Sequence, residues 1–260
     1  MQNNHFLLDG FEWSFSRIET FSTCPYCFYL QYIQGMKGKD SFFGQYGSFI
    51  HELLEQFNKG KLFTFELLEQ YEAFYNQKVT ESVTDVISES YYNKGYEFFS
   101  NFEEPDYEIL CSECEYKFKI GEYNFTGKID VETINSIRDY KTKKGKAYKR
   151  KPKDNPNIKT MEDGRFIDLA EFKQLYIYCV PYFDKYGKYP EFLVLELVKE
   201  NDVYIIKFDK NDFEKCKQML LDEIQKIYET VEFIKHEDVF WCDVICGQRF
   251  NCKFENEGEI

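Results

Sequence analysis

The hydrophobic period of this chain changes at Pro105, and that change restricts its fold more than any other feature. Before Pro105 the apolar residues recur at helical spacing. A capping-box pattern, Ser16-x-x-Glu19, opens a helix that Pro25 interrupts and that resumes through Phe28, Leu30 and Ile33. Gly44 and Gly47 form a step into a helix over 49–57, and two more helices are expected at about 63–78 and 82–100. Beyond Pro105 the period falls to two, so 107–120, 123–133 and 137–142 read as strands joined by turns at Gly121-Glu122 and Asn135-Ser136. A lysine-rich loop to about residue 165 precedes a helix at about 167–186, strands near 191–199 and 202–208, and a long helix at about 211–233. The expectation is an α/β fold with a helical N-terminal part at about 13–104, a core at about 105–233, and a cysteine-bearing tail at about 234–260. No repeat or linker composition divides the chain, so one domain over 1–260 is expected.

With 27 Phe and 21 Tyr among 260 residues, the chain has ample apolar surface to bury, which argues against disorder. The first ten residues carry no basic segment, and no run approaches the roughly 20 apolar residues of a membrane span. A cytoplasmic protein without a membrane partner is expected. The net charge of −13 repels nucleic acid unless basic residues are concentrated, and they are. Eight fall within 141–153 (Lys141, Lys143, Lys144, Lys146, Lys149, Arg150, Lys151 and Lys153) with no acidic residue among them. Such a strip suits phosphates, and it reads as a loop that is mobile when free and ordered on DNA.

The chemistry concentrates in Gly127-Lys128-Ile129-Asp130-Val131-Glu132 and Arg138-Asp139-Tyr140-Lys141-Thr142. In a strand, Asp139 and Lys141 share one face and Tyr140 takes the other. A hairpin turn at Asn135-Ser136 sets Asp130 opposite Lys141 and Glu132 opposite Asp139, converging two or three carboxylates on one face. Like charges across a sheet are destabilising, so the cluster is either a solvated face or the seat of a neutralising cation. Oxygen-rich sites of this kind suit Mg²⁺ or Mn²⁺, with a lysine alongside to orient an attacking water.

Gly127-x-x-Asp130 followed by Asp139-Tyr140-Lys141-Thr142 resembles the signature of the PD-(D/E)XK nucleases, most closely the RecB-like branch that includes the CRISPR-adaptation exonuclease and phage exonucleases. Ser14-Phe15-Ser16-Arg17 leading to Cys24-Pro25-x-x-Phe28-Tyr29-Leu30-x-Tyr32 resembles the opening helix of that branch. Gly47-x-x-x-His51-x-x-x-Glu55 resembles its metal-binding helix, and Gln174-x-x-x-Tyr178 its Gln-x-x-x-Tyr motif. The resemblance implies a restriction-endonuclease-like core of helix, three strands, helix and strand. It implies further that His51, Asp130 and Asp139 are metal ligands, that Lys141 positions the water, and that Gln174 and Tyr178 line the site and touch the substrate strand.

Cysteines pose a separate question. Cys24-Pro25-Tyr26-Cys27 matches a glutaredoxin-type tetrapeptide, but a thiol–disulfide oxidoreductase needs a strand before that motif, and a capped helix precedes it here. The tail cysteines resemble the iron–sulfur staple of the RecB-like branch: Cys24 with Cys242, Cys246 and Cys252 would supply four thiolates, Cys27 being the alternative to Cys24. Four thiolates suit a [4Fe–4S] cluster or Zn²⁺. Three residues separate Cys242 from Cys246 where the family pattern has two. Cys111 and Cys114 lie on a strand where their thiols should point to opposite faces, and with Cys179 and Cys216 they read as packing residues.

The resemblance and the basic strip together imply a metal-dependent DNA exonuclease acting on linear DNA from its ends, in repair, recombination or phage DNA processing. A helicase, recombinase or single-strand annealing protein would be its natural partner. The other reading is a non-catalytic module that binds DNA ends for a helicase or recombinase, but every catalytic position of the signature is filled, which favours the enzyme.

Overall fold

The structure, a computed structural model, describes residues 8–252; the last residues of the cysteine-bearing tail lie outside that range. Helix α1 (Phe15–Thr23) is capped by Ser14, whose hydroxyl accepts the Arg17 N–H at 3.2 Å. The cap therefore lies two residues before the expected Ser16, whose own hydroxyl is engaged with that of Ser14. Pro25 breaks the helix as expected and occupies the first position of α2 (Pro25–Phe28), which runs into a π-turn over Tyr29–Ile33.

Helix α3 (Phe42–Asn58) starts earlier than its apolar spacing predicts, because Ser41 caps it by accepting the Gly44 N–H and both Gly44 and Gly47 are helical. Gly47 has a packing reason to be glycine: a Cβ there would lie 3.2 Å from Thr142 Oγ1, so its absence lets the helix approach the segment around Thr142. Helices α4 (Thr64–Lys78) and α5 (Asp85–Ser100) complete the helical part close to their expected bounds.

Three strands follow, β1 (Cys111–Ile120), β2 (Tyr123–Glu132) and β3 (Ser136–Lys141). The lysine-rich loop, expected to be mobile when free and ordered on DNA, makes contacts with the rest of the fold. It holds a small hairpin, β4 (Ile158–Thr160) with β5 (Phe166–Asp168), and Tyr148 exchanges N–H···O bonds of 2.7 and 2.9 Å with Phe166. The Gly145 N–H also donates to the Glu200 carboxylate at 2.9 Å. Helix α6 (Lys173–Tyr186), entered through a 3₁₀ turn at Leu169–Phe172, precedes β6 (Phe192–Leu197), β7 (Asp202–Lys207) and α7 (Lys210–Glu229).

The main sheet has the order β1-β2-β3-β6-β7, and β3–β6 is its parallel pair. A parallel pair needs a long crossover, which α6 supplies. One face of the sheet packs on α6, α7 and α1 through Ile129, Ile137, Leu193 and Leu195; the other meets the helical part through Val131, Tyr140 and Val198. Cys179 of α6 and Cys216 of α7 are fully buried in the first of these cores, as packing residues should be. Among the described residues no helix is long and apolar enough to cross a membrane.

The β2–β3 turn falls at Ile134-Asn135, one residue before the expected Asn135-Ser136. Thr133 causes the shift: its hydroxyl accepts the N–H groups of Asn135 at 3.3 Å and Ser136 at 2.9 Å, closing the turn around itself. Val131 then pairs with Arg138 and Glu132 with Ile137. Moving a turn by one residue moves the pairing by two, so the faces are preserved while the partners change.

Two glycines separate close approach from simple tolerance. A Cβ on Gly127 would sit 2.5 Å from Tyr178 Cε1, whereas one on Gly44 would find its nearest neighbour at 3.7 Å. Gly127→Ala should destabilise the protein by about 1–3 kcal/mol through overpacking. Gly44→Ala should stabilise it by about 0.4–1 kcal/mol. Urea midpoints measured at unchanged m-value check both signs.

Candidate metal centre

The β2–β3 ladder ends at Val131 and Arg138, and the site is built where the strands part. Asp130 accepts the backbone N–H of Tyr140 at 2.8 Å, a donor that a continued ladder would have used. His51 reaches the same point from α3. Its Nε2 lies 3.1 Å from the Tyr140 carbonyl, which can only accept, so Nε2 carries the proton and Nδ1 faces the site. Nδ1 meets two carboxylates, Asp130 at 3.5 Å and Glu113 at 3.6 Å.

Glu113 is a candidate ligand that the motifs did not indicate. The signal was nonetheless present: the turn at Gly121-Glu122 pairs Ile120 with Tyr123, and counting back along that register sets Glu113 opposite Asp130. One ligand atom from each of His51, Glu113 and Asp130 lies within 4.8 Å of the other two. Glu113 is also paired with Lys128. Glu132, expected in this cluster, is elsewhere. It is fully buried and accepts from Lys185 and Tyr186 of α6, each at 2.9 Å, because it pairs with Ile137 and not with Asp139.

Asp139 and Lys141 share a face, with Lys141 Nζ 2.7 Å from the Asp139 carboxylate and donating to Gln174 Oε1 at 2.8 Å. Gln174 donates in turn to the Tyr178 hydroxyl at 3.2 Å. Gln174 lines the cleft, but Tyr178 stands behind it, buried against Gly127, and so supports Gln174 instead of facing a substrate strand. The cleft encloses about 630 Å³ and is bordered by His51, Asp130, Asp139, Lys141, Lys143 and Lys146. Lys143 and Lys146 converge on Glu171 at 3.3 and 3.7 Å. Lys144, Lys149 and Arg150 are exposed on the same loop outside the cleft wall.

Electrostatics describe a centre short of positive charge. Burial and the neighbouring Asp139 push the Asp130 carboxyl up to about 7, against the pull of His51 and the Tyr140 N–H. Burial would lower His51, but the bond to Glu113 and the charge of Asp130 raise it. Burial likewise disfavours the Lys141 ammonium, and Asp139 overrides it, so the lysine is held charged. One imidazole nitrogen and nearby carboxylates, buried and mutually repelling, form a donor set that fits a small divalent cation. The second ring nitrogen is oriented by a carbonyl, as ligating histidines commonly are.

Five cysteines, Cys24, Cys27, Cys242, Cys246 and Cys252, line a second cavity of about 230 Å³ with His236 and Trp241. Cys27 thus joins Cys24 at the cavity and does not merely stand in for it. Cys27 Sγ lies 3.8 Å from Cys246 Sγ, and their hydrogen bond lowers Cys246 to about 7 while raising Cys27. Burial pushes the Cys24 thiol up, the opposite of what an oxidoreductase nucleophile requires. Cys111 and Cys114 depart from the expected opposite faces: Glu113 between them adopts φ +56°, breaks the strand alternation and brings the two side chains together.

A family model described as the PD-(D/E)XK nuclease superfamily matches residues 12–253. A candidate exonuclease from Eubacterium rectale has a similar solved structure, with 14% sequence identity, coverage of 90% of this chain and 89% of the other, and a TM-score of 0.53. At that identity the likeness bears on the fold alone. No curated protein matches the sequence.

Asp130 generates a prediction with a definite sign. Its folded pKa of about 7 exceeds the ordinary value of about 4, so between those pH values the folded state holds the extra proton and Asp130 lowers stability as pH rises. Without added cation, Asp130→Asn should therefore be more stable than the natural protein at pH 8, by an amount on the order of 1–3 kcal/mol, and no more stable at pH 4. The same variant should lose Mn²⁺ binding. Thermal unfolding at the two pH values and calorimetric Mn²⁺ titration measure both effects.

Proposed function

Because the chain belongs to the PD-(D/E)XK nuclease superfamily, we propose that it is a divalent-cation-dependent exonuclease acting on the ends of linear DNA. The observation that carries this reading is the convergence of His51, Glu113 and Asp130 beside Asp139, Lys141 and Gln174 in one cleft. His51, Glu113, Asp130 and Asp139 are the residues that would hold Mg²⁺ or Mn²⁺. When bound, such a cation acidifies water and neutralises charge on a reacting phosphodiester.

Lys141 is the cation that the chain itself provides. Asp139 and Gln174 fix its ammonium from two sides, so it can hold a water or a non-bridging phosphate oxygen without searching for position. Tyr178 keeps Gln174 in place. Lys143 and Lys146 border the cleft, and Lys144, Lys149 and Arg150 extend the positive surface away from it, a path suited to the backbone of a bound strand. The remainder of the protein is acidic enough to discourage binding elsewhere.

The cysteine cavity is, in this reading, the seat of a [4Fe–4S] cluster held by four of Cys24, Cys27, Cys242, Cys246 and Cys252. Its support is the lining of one cavity by five cysteines drawn from two segments more than 200 residues apart.

Purified protein with Mg²⁺ or Mn²⁺ should degrade end-labelled linear DNA and spare closed circular DNA. Asp139→Ala and Lys141→Ala should each reduce cleavage at least a hundredfold, with Mn²⁺ affinity weakened in the first and retained in the second. Equal digestion of circular DNA would replace the exonuclease with an endonuclease, and cleavage unchanged in both variants would remove the active-site assignment.

Anaerobically purified protein should be brown and carry about four irons per chain. Cys246→Ser should lose the colour, while Cys216→Ser should keep it. Colourless, iron-free protein with full cleavage would remove the cluster and leave the nuclease.

A further inference from the structure

Glu171 is a carboxylate of the cleft that the proposed hydrolysis does not use. It belongs to the 3₁₀ turn Leu169–Phe172 and borders the same cavity as Lys141 and Gln174. Its carboxylate faces Lys143 at 3.3 Å and Lys146 at 3.7 Å. The Glu171 side chain is 16% exposed, against 55% and 70% for the two lysines, so the carboxylate is the fixed member and the ammonium groups come to it. Both separations exceed the about 2.7–2.9 Å of a charge-assisted hydrogen bond, whereas Lys141 and Asp139 meet at 2.7 Å. The Glu171 pairs are thus loose contacts, of a kind that exchanges readily for another anion.

The backbone that carries both lysines is held in place. The Gly145 N–H donates to Glu200 at 2.9 Å, and the Ala147 N–H to the Tyr204 hydroxyl at 3.4 Å. A Cβ on Gly145 would collide with Tyr204 and Leu197, so the chain runs there in direct contact with β6 and β7. Lys143 and Lys146 therefore lie on either side of an anchored glycine, and one acceptor answers both.

We propose that Lys143 and Lys146 form a subsite for a single phosphate of the substrate strand, and that Glu171 occupies it in the free protein as a competitor that sets DNA affinity. The proposal deepens the nuclease reading and rests on it. A phosphodiester carries one negative charge, as a carboxylate does, so it can replace Glu171 on the two ammonium groups without leaving either unpaired. The replacement leaves Glu171, mostly buried, beside a second anion, and that repulsion weakens binding. A strand held at several neighbouring phosphates offsets this cost; a lone free anion does not.

Fluorescence anisotropy of labelled single-stranded and duplex oligonucleotides with the full chain, in EDTA and again in Ca²⁺, tests the subsite apart from cleavage. Glu171→Gln and Glu171→Ala should each bind about fivefold more tightly than the natural protein, a gain that shrinks as salt rises. Glu171→Asp keeps the charge and should stay near the natural value. In a chain carrying Lys143→Met and Lys146→Met, adding Glu171→Gln should change affinity by no more than about twofold, because the groups it competes for are gone. Thermal unfolding confirms that each variant is folded. Equal or weaker binding by folded Glu171→Gln overturns the proposal, and weaker binding would make Glu171 a residue that positions the lysines. A gain that survives removal of both lysines overturns it as well, since Glu171 would then act through the general field of the cleft. The same gain in Glu171→Asp would also overturn it. Tighter binding in a protein that degrades no DNA with Mg²⁺ or Mn²⁺ would uphold the phosphate subsite and reject the nuclease. Absence of DNA binding in the natural protein and the variants alike would overturn both.

Discussion

Three groups that cannot hydrogen-bond to one another unaided, two carboxylates and the Nδ1 of an imidazole, are held within 4.8 Å in a largely buried setting. Such an arrangement is unstable without a proton or a cation between its members. Much of the local structure answers that demand. The Tyr140 backbone N–H is spent on Asp130, the Tyr140 carbonyl fixes the His51 tautomer, and Lys128 balances Glu113. Asp139, the next carboxylate along, has the ammonium of Lys141 as its own counter-charge. Burial and Asp139 raise Asp130, and Glu113 and Asp130 raise His51, above their ordinary pKa values.

Holding that crowd together requires rigid supports on both faces of the sheet. On one face, α3 brings His51 over the end of β3, and Gly47 permits the approach by offering no Cβ to Thr142. On the other, Gly127 makes room for Tyr178, whose hydroxyl steadies Gln174, which steadies Lys141. The sheet between them is anchored at β3, paired antiparallel to β2 and parallel to β6. Parting of β2 from β3 beyond Val131 then opens a gap that side chains, not backbone, must fill.

Much of this was legible in the residues. Strand periodicity gave Asp139 and Lys141 a common face, and the change at Pro105 marked where helices yield to strands. Two local competitions were not legible. Thr133 claimed the N–H groups of the turn with its hydroxyl and moved the hairpin by one residue, which removed Glu132 from the cluster. At Glu113, strict alternation failed, because a left-handed residue inside a strand cannot be read from hydrophobic pattern; the same departure brought Cys111 and Cys114 together. Glu113 itself was within reach, since the glycine turn at Gly121 had already set it opposite Asp130.

The tail packs the segment beside the cysteine cavity against the start of α3, the helix that carries His51. Arg249 is buried and donates to the carbonyls of Lys39, Asp40 and Cys246 and to the Glu81 carboxylate. Gln248 donates to the Met36 carbonyl, and the Lys39 N–H to that of Gly247. The segment that enters α3 is therefore laid against the residues that present Cys246, and Ser41 caps α3 immediately beyond it. A buried guanidinium with one carboxylate partner tolerates little displacement, because each donor pulled from its acceptor is left unpaired in a dry setting. The start of α3, about two and a half helical turns before His51, is thus tied to the tail by hydrogen bonds.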